Sequence, residues 1–433
     1  MKKNLRIAIN AQIPAGSGTG GIETVLRVLT ALGRLDGDEE YIFIGHWSDA
    51  DWLKPLLTER QTIVRAPHPQ QDKLNRTESF KRVLGPLRPL ARAAKRLVAT
   101  HLPESQPPSK SKSSVPSSDG FYENLNCDVV HFPYQDYVRC LVPTVYNPHD
   151  LQHLHYPQFF APEEIERREI VYPTACRAAH TVVAASQFIK QDLMQKYAIQ
   201  AEKIQVIPWS PPASALPEFT EQDANSLFKK YDCPLRPFIL YPAMTWEHKN
   251  HLRLLEAVAL LRERENLKVN LVCTGHKNAF YPRIEERLRE LKLESQVKFT
   301  GVVEFKELSL FYRQAQFVVV PTLFEAASAP LFEAWQHGVA VACSSVTSLP
   351  EQAAGAAFLF NPFSIEEIAN AIKTMTFDET LRADLRARGF KRLQDFDIER
   401  TSKAYRAVYR KAAGLVLNDE DKHLLNWDWM RNS

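Results

Sequence analysis

Along this chain, runs of four to seven mostly apolar residues alternate with stretches in which apolar residues return every three or four positions. The short runs, bounded by turn residues and rich in β-branched side chains, read as strands; the longer period reads as helix. LRIAIN is a first strand, Ile22 to Leu35 a helix, and YIFIG a second strand. CDVVHFP, PTVYN and HTVVAAS read as further buried strands. The Pro-rich segment 208–217 interrupts the alternation, which then restarts. FILYPAM, KVNLVCTG and VKFTG read as strands, with helices over Leu252 to Arg264, Tyr281 to Leu293 and Leu308 to Gln314. Alternation of this kind predicts an α/β fold with parallel sheets. The break predicts two domains of similar size, 1–208 and 209–397, and a separate last segment, 398–433, whose tail LLNWDWMRNS offers tryptophans for packing.

The run VVVPTLFEAASAPLFEAWQHGVAVACS holds the most chemistry. Its pattern is strand (Phe317 to Val320), loop with Glu325, helix with Glu333, then a second buried strand (Val339 to Cys343). In parallel sheets ligands bind at the carboxyl ends of strands, beside helix N-termini. That places Glu325 at a ligand mouth and Glu333 about two turns farther on. The free N–H groups and positive dipole end between them suit an anion such as a diphosphate. Acidic residues also favour a helix's first turn for purely structural reasons.

E-x7-E after a strand, followed by a helix ending in His337-Gly338 and a buried strand, resembles the signature of the retaining GT-B glycosyltransferases of family 4. The resemblance spans nearly the whole chain. It implies two Rossmann-like domains facing a cleft, with 398–433 returning to brace the first domain. It gives Glu325 to the donor sugar's hydroxyls and Glu333 to the nucleotide ribose. Lys249 and the amides within 326–331 would hold the diphosphate, with Ala326, Ala329, Pro330 and Leu331 counted among the donor-binding residues. Gly20-Gly21-Ile22-Glu23 resembles the family's GGIE segment beside the donor, and Gly275 borders the base, on which Trp246 or Phe305 would stack. His149-Asp150 resembles the H-D segment over the sugar. Ser186 reads either as a helix N-cap, the reading favoured here, or as the serine of an S-x-x-x-K stretch. The catalytic set implied is His149, Asp150, Lys249 and Glu325, in a front-face, metal-independent reaction with no resident cofactor. The substrates implied are a nucleotide-sugar donor and a glycan or lipid-linked acceptor. One departure stands out: Ala243 occupies the place of the family's phosphate-binding arginine, and Pro242 that of the preceding glycine. His248, Lys277 and Arg253 are the nearby cations that would compensate.

Charge and composition narrow the alternatives. Fifty-four Lys and Arg against 51 Asp and Glu give a net charge of +3, which argues against a nucleic-acid partner. Six cysteines without a C-x-x-C pair suit a reducing, cytoplasmic setting and argue against a zinc ribbon or a disulfide framework. The N-terminus lacks a signal-peptide core, and no apolar stretch is long enough to span a membrane. Residues 76–100 carry seven basic residues against Glu78, with Leu90, Ala94, Leu97 and Val98 at helical spacing. They read as a solvated helix face or as a contact with anionic lipid at the inner face of a membrane. Residues 103–118, PESQPPSKSKSSVPSS, read as a flexible part of an insertion over about 66–120.

Three other chemistries fit less well. Gly16, Gly18 and Gly21 match G-x-G-x-x-G, yet the second strand ends in His46-Trp47-Ser48 without the acid that a nicotinamide dinucleotide requires. His149, His153 and His155 lack the partners of a zinc site. A retaining glycosidase needs two carboxylates about 5 Å apart, closer than two helical turns allow for Glu325 and Glu333. A non-catalytic GT-B scaffold with a degenerate site is the main rival, favoured by Ala243.

Overall fold

The computed structural model describes residues 4–13, 20–68, 114–211, 216–233 and 236–429. Gly16, Gly18 and the basic stretch 76–100 lie outside them. The N-terminal half contributes strands β1 (Arg6–Ala11), β2 (Glu40–Gly45), β3 (Gln61–Arg65), β4 (Val129–Phe132), β5 (Thr144–Tyr146), β6 (Thr181–Ala184) and β7 (Ile204–Val206). Its helices are α1 (Gly20–Ala31), α2 (Phe121–Asn124), α3 (Gln152–His155), α4 (Pro162–Ala178) and α5 (Gln187–Tyr197). The strands pair in parallel in the order β3-β2-β1-β4-β5-β6-β7.

A second parallel sheet follows, built from β8 (Ile239–Pro242), β9 (Leu271–Thr274), β10 (Val297–Gly301), β11 (Val318–Val320), β12 (Val341–Ser344) and β13 (Phe358–Phe360). Its order is β10-β9-β8-β11-β12-β13. Around it lie α6 (Glu221–Lys230), α7 (His251–Glu265), α8 (Tyr281–Glu290), α9 (Phe305–Gln314), α10 (Ala329–Gln336), α11 (Leu349–Ala353), α12 (Ile365–Phe377) and α13 (Glu379–Leu393). The chain ends in α14 (Ile398–Ala412) and α15 (Asp419–Leu425). The inner strands of both sheets are covered on both faces, so they are continuous apolar runs such as Val318-Val319-Val320 rather than alternating ones. Among the described residues, no helix is long and apolar enough to cross a membrane.

The returning helix α14 packs on the N-terminal sheet. Its Ser402 hydroxyl reaches the Val28 carbonyl of α1 at 3.0 Å, and Arg410 pairs with Glu39 and Asp421. Trp429 of the tail is buried in the same apolar cluster. The last part of the Ser/Pro-rich stretch departs from the flexible reading. Val115 is buried, Ser117 bridges Arg139, and the Ser118 hydroxyl donates to Glu123 at 2.6 Å. One apolar side chain and a row of local hydrogen bonds outweigh the low-complexity composition there.

Candidate active site

Each strand of the second sheet delivers its loop to one edge, and the loop after β11 carries Glu325. Its backbone is held residue by residue. Leu323 N–H donates to the His248 carbonyl at 2.8 Å, and the Asn250 amide donates to the Pro321 and Pro362 carbonyls, both at 2.9 Å. Glu325 N–H donates to Thr347 Oγ1 at 3.0 Å, while the Ser348 hydroxyl donates to the Glu325 carbonyl at 2.9 Å. Thr347 sits at φ +53°, an uncommon conformation for a β-branched residue, and so presents its hydroxyl to the loop. The Gln352 amide clasps both backbone groups of Ser328 at 2.8 Å each.

So fixed, the Glu325 carboxylate accepts from Lys249 Nζ at 2.5 Å, and both side chains are four-fifths buried or more. Lys249 ends a short 3₁₀ turn between β8 and α7. The sequence suggested separate duties for these two residues; the structure joins them as an ion pair across two loops. Ala326 is buried beside them, and Ala329, Pro330 and Leu331 form the first turn of α10. That helix starts without a side-chain cap and without an acid in its first turn, so its positive end is uncompensated.

Glu333, farther along α10, accepts from the Tyr312 hydroxyl of α9 at 2.5 Å. Burial raises its pKa above the ordinary carboxylate value, and the tyrosine bond partly opposes that. His337 donates from Nδ1 to the Glu333 carbonyl at 2.7 Å and stacks on Tyr312. Beside this lies the loop after β9. Gly275 has φ +123°, and a Cβ there would come within 2.6 Å of the Ala243 carbonyl oxygen, so only glycine lets these two loops touch. Trp246 and Phe305 are both half-exposed.

Of the three cations available to replace the missing arginine, His248 is half-buried and held well below its usual pKa by desolvation, hence neutral. Lys277 lies over the Tyr281 ring, 4.4 Å from its centroid. Arg253 donates to Asn250 Oδ1 at 3.1 Å.

The N-terminal side is built differently. His149 follows β5, buried, at φ +66°, and its Nε2 donates to the Pro133 carbonyl at 2.8 Å, which leaves Nδ1 as an acceptor. Burial lowers its pKa, so the ring is neutral. Asp150 accepts from Gln152 N–H at 3.0 Å and lies 3.8 Å from Arg168. The segment is anchored from below by α14: His131 links Tyr409 and Asn147 at 2.8 Å each, and Asn147 donates to the Tyr405 hydroxyl at 3.0 Å. Gly20 and Gly21 open α1. Ser186 is the N-cap of α5, its hydroxyl accepting from Ile189 N–H at 3.3 Å. His149, His153 and His155 turn to different partners, Pro133, Glu169 and Asp192. Among the described residues, no three His, Cys, Asp or Glu side chains are grouped to hold a metal ion.

Sequence reasoning missed Thr347, Ser348 and Gln352, which hold the loop, and Tyr312, which holds Glu333. Their position just beyond β12, the neighbour of β11, was the available signal for the first three.

A family model described as glycosyl transferases group 1 matches residues 226–392, the half that carries the Lys249–Glu325 pair. A second, glycosyltransferase family 4, matches residues 19–209. The chain belongs to the GT-B glycosyltransferases of family 4. It is 23% identical over 255 residues to O-antigen chain mannosyltransferase B of Escherichia coli, covering 58% of this chain and 66% of that one. It is 25% identical over 281 residues to the serotype-specific mannosyltransferase WbdA of Escherichia coli, covering 62% of this chain and 32% of that one. The chain thus spans just under two thirds of the first relative and a third of the second. Among solved structures, HepE of Anabaena with UDP and glucose aligns with a TM-score of 0.64 at 16% identity, over 94% of this chain and all of that one. A Rickettsia africae glycosyltransferase aligns with a TM-score of 0.62 at 16% identity, over 94% and 98%. At such identities the likeness is one of fold.

Proposed function

We propose that this protein is a retaining hexosyltransferase that moves a sugar from a nucleoside-diphosphate donor to a glycan or lipid-linked glycan. The Lys249–Glu325 pair beside the uncapped start of α10 carries this reading. A diphosphate at the helix start gains backbone N–H donors and the dipole, with Lys249 within reach as a point charge. Glu325, freed in part from Lys249 as the diphosphate arrives, orients the sugar through its hydroxyls. The departing diphosphate itself takes the acceptor proton, so the protein's task is positioning and charge stabilisation. His149 accepts a sugar hydroxyl at Nδ1, and Glu333 takes the ribose. Asp150 orders the turn below His149. Gly20 and Gly21 let the backbone of α1 approach the donor, and Gly275 brings the base-side loop close. This chemistry calls on no metal and no resident cofactor. Arg253 is the cation that stands in for the arginine replaced by Ala243.

Mannose is the sugar favoured by the names of the curated relatives, and surface-polysaccharide synthesis the setting. A lipid-linked acceptor would bring the protein to the inner face of a membrane, with the basic residues of 76–100 as the contact. The test is to offer UDP-, GDP- and ADP-linked sugars with polyprenyl-linked glycans and to follow nucleoside diphosphate release and the anomeric configuration of the product. Transfer with retention supports the proposal. Inversion refutes the mechanism, and absence of turnover with every donor favours a binding scaffold.

A further inference from the structure

Phe324, the residue before Glu325, belongs by sequence to the C-terminal half but packs in the N-terminal one. It is 2% exposed and sits in an apolar cluster with residues of β4, β5, β6, α4 and α5. Its ring lies 5.3 Å from His155, 5.9 Å from Phe188 and 6.3 Å from Tyr156, centroid to centroid. His155 is itself held to the buried Asp192 at 2.8 Å. The Tyr156 hydroxyl donates to the Leu323 carbonyl at 3.3 Å, and Ala326 is buried in the same cluster. A second link runs in parallel. The Glu351 carboxylate of α11 accepts from Gln187 N–H at 3.2 Å and Phe188 N–H at 3.0 Å, so it caps α5 from the opposite half. Thr347 and Ser348, which hold the Glu325 backbone, immediately precede α11.

The loop bearing Glu325 is therefore gripped from both halves. We propose that Phe324 is a positioning residue for the transfer: its seat among His155, Tyr156 and Phe188 aligns the Glu325–Lys249 pair with the cleft, so that the two halves and the sugar-holding carboxylate come into register together. This rests on the reading of Glu325 as the sugar-holding group. A ring with two χ angles wedged between aromatic neighbours fixes the adjacent backbone tightly, and misplacement of a reacting group by about 1 Å costs about 100-fold in rate.

The experiment compares wild type with Phe324→Ala, Phe324→Leu and Tyr156→Phe in steady-state transfer, nucleoside diphosphate binding and amide hydrogen exchange. Phe324→Ala should lower kcat by about 10- to 100-fold while diphosphate affinity changes by less than about 3-fold, because the helix start and Lys249 are left in place. Phe324→Leu should recover most of kcat, and amides at 323–328 should exchange faster in the alanine variant with β11 and β12 unchanged. Should the alanine variant not fold, Tyr156→Phe removes only the bond to Leu323 and should lower kcat a few-fold, roughly the worth of one hydrogen bond. A kcat per folded molecule equal to wild type, or a parallel fall in diphosphate affinity, overturns the proposal. If wild type transfers no sugar, the functional reading fails; exchange then decides the positioning role, unchanged rates at 323–328 overturning it.

Discussion

The two sides of the cleft are equipped in opposite ways. On the C-terminal side an ion pair, Lys249–Glu325, stands beside an uncompensated helix start. On the N-terminal side the corresponding strand end presents His149, a buried imidazole kept neutral by desolvation and braced through Asn147 by the returning helix. One wall handles charge, the other hydrogen bonding and shape. The proposed transfer, in which a diphosphate departs and a neutral sugar is oriented, would use that division. It follows that lesions on the charged wall should cost the most.

Glu325→Ala should lower turnover by about 100-fold or more with the fold intact by circular dichroism, since in the proposed reaction this carboxylate orients the sugar. Turnover at the wild-type level would erase the distinction between the walls. Lys249→Ala should weaken nucleoside diphosphate binding by roughly 30-fold in calorimetry, the worth of one charged hydrogen-bond donor. On the neutral wall, acid should act through stability. His131 is fully buried, and desolvation lowers its pKa from 6.5 to about 4. As pH falls through 6.5, the unfolded chain takes up a proton that the folded protein refuses until about 4, so stability is lost across that window. At pH 5 this one group costs about 2 kcal/mol relative to pH 8. Urea midpoints at the two pH values measure the loss, and His131→Gln should narrow the gap.

His149→Ala should lower kcat by about 10-fold while leaving diphosphate affinity alone, as expected for one hydrogen bond to the sugar. A change in diphosphate affinity instead would move His149 to the charged wall. The smallest effect belongs to Tyr312→Phe. It removes the donor that opposes the raised pKa of Glu333, so nucleoside affinity should drop about 3-fold, and more so as the pH is lowered toward the carboxylate's range.

The same contrast separates what was legible in the sequence from what was not. The strand–loop–helix carrying Glu325 and Glu333 was readable because its period, turn residues and acids lie within one short stretch. Gly275 was readable as the end of an apolar strand, whereas Lys249, in a turn well beyond β8, was singled out only through the family resemblance. The ion pair itself was not, because Lys249 and Glu325 are 76 residues apart and meet only through sheet order. Nor were Thr347, whose positive φ no propensity predicts, and Glu351, which caps a helix 164 residues earlier in the chain. Irregular elements also escaped. β3 is five residues with a half-exposed face, and α4 carries Pro173 inside a weakly periodic helix.

The central claim is that the charged wall receives a nucleoside diphosphate, and thermal melting in the presence of nucleotides tests it most directly. One of UDP, GDP or ADP, at about 100 times its Kd, should raise Tm by roughly 3–5 °C, more than its monophosphate, and the shift should shrink in Lys249→Ala. No shift with any diphosphate, or a shift with NAD alone, would contradict the account.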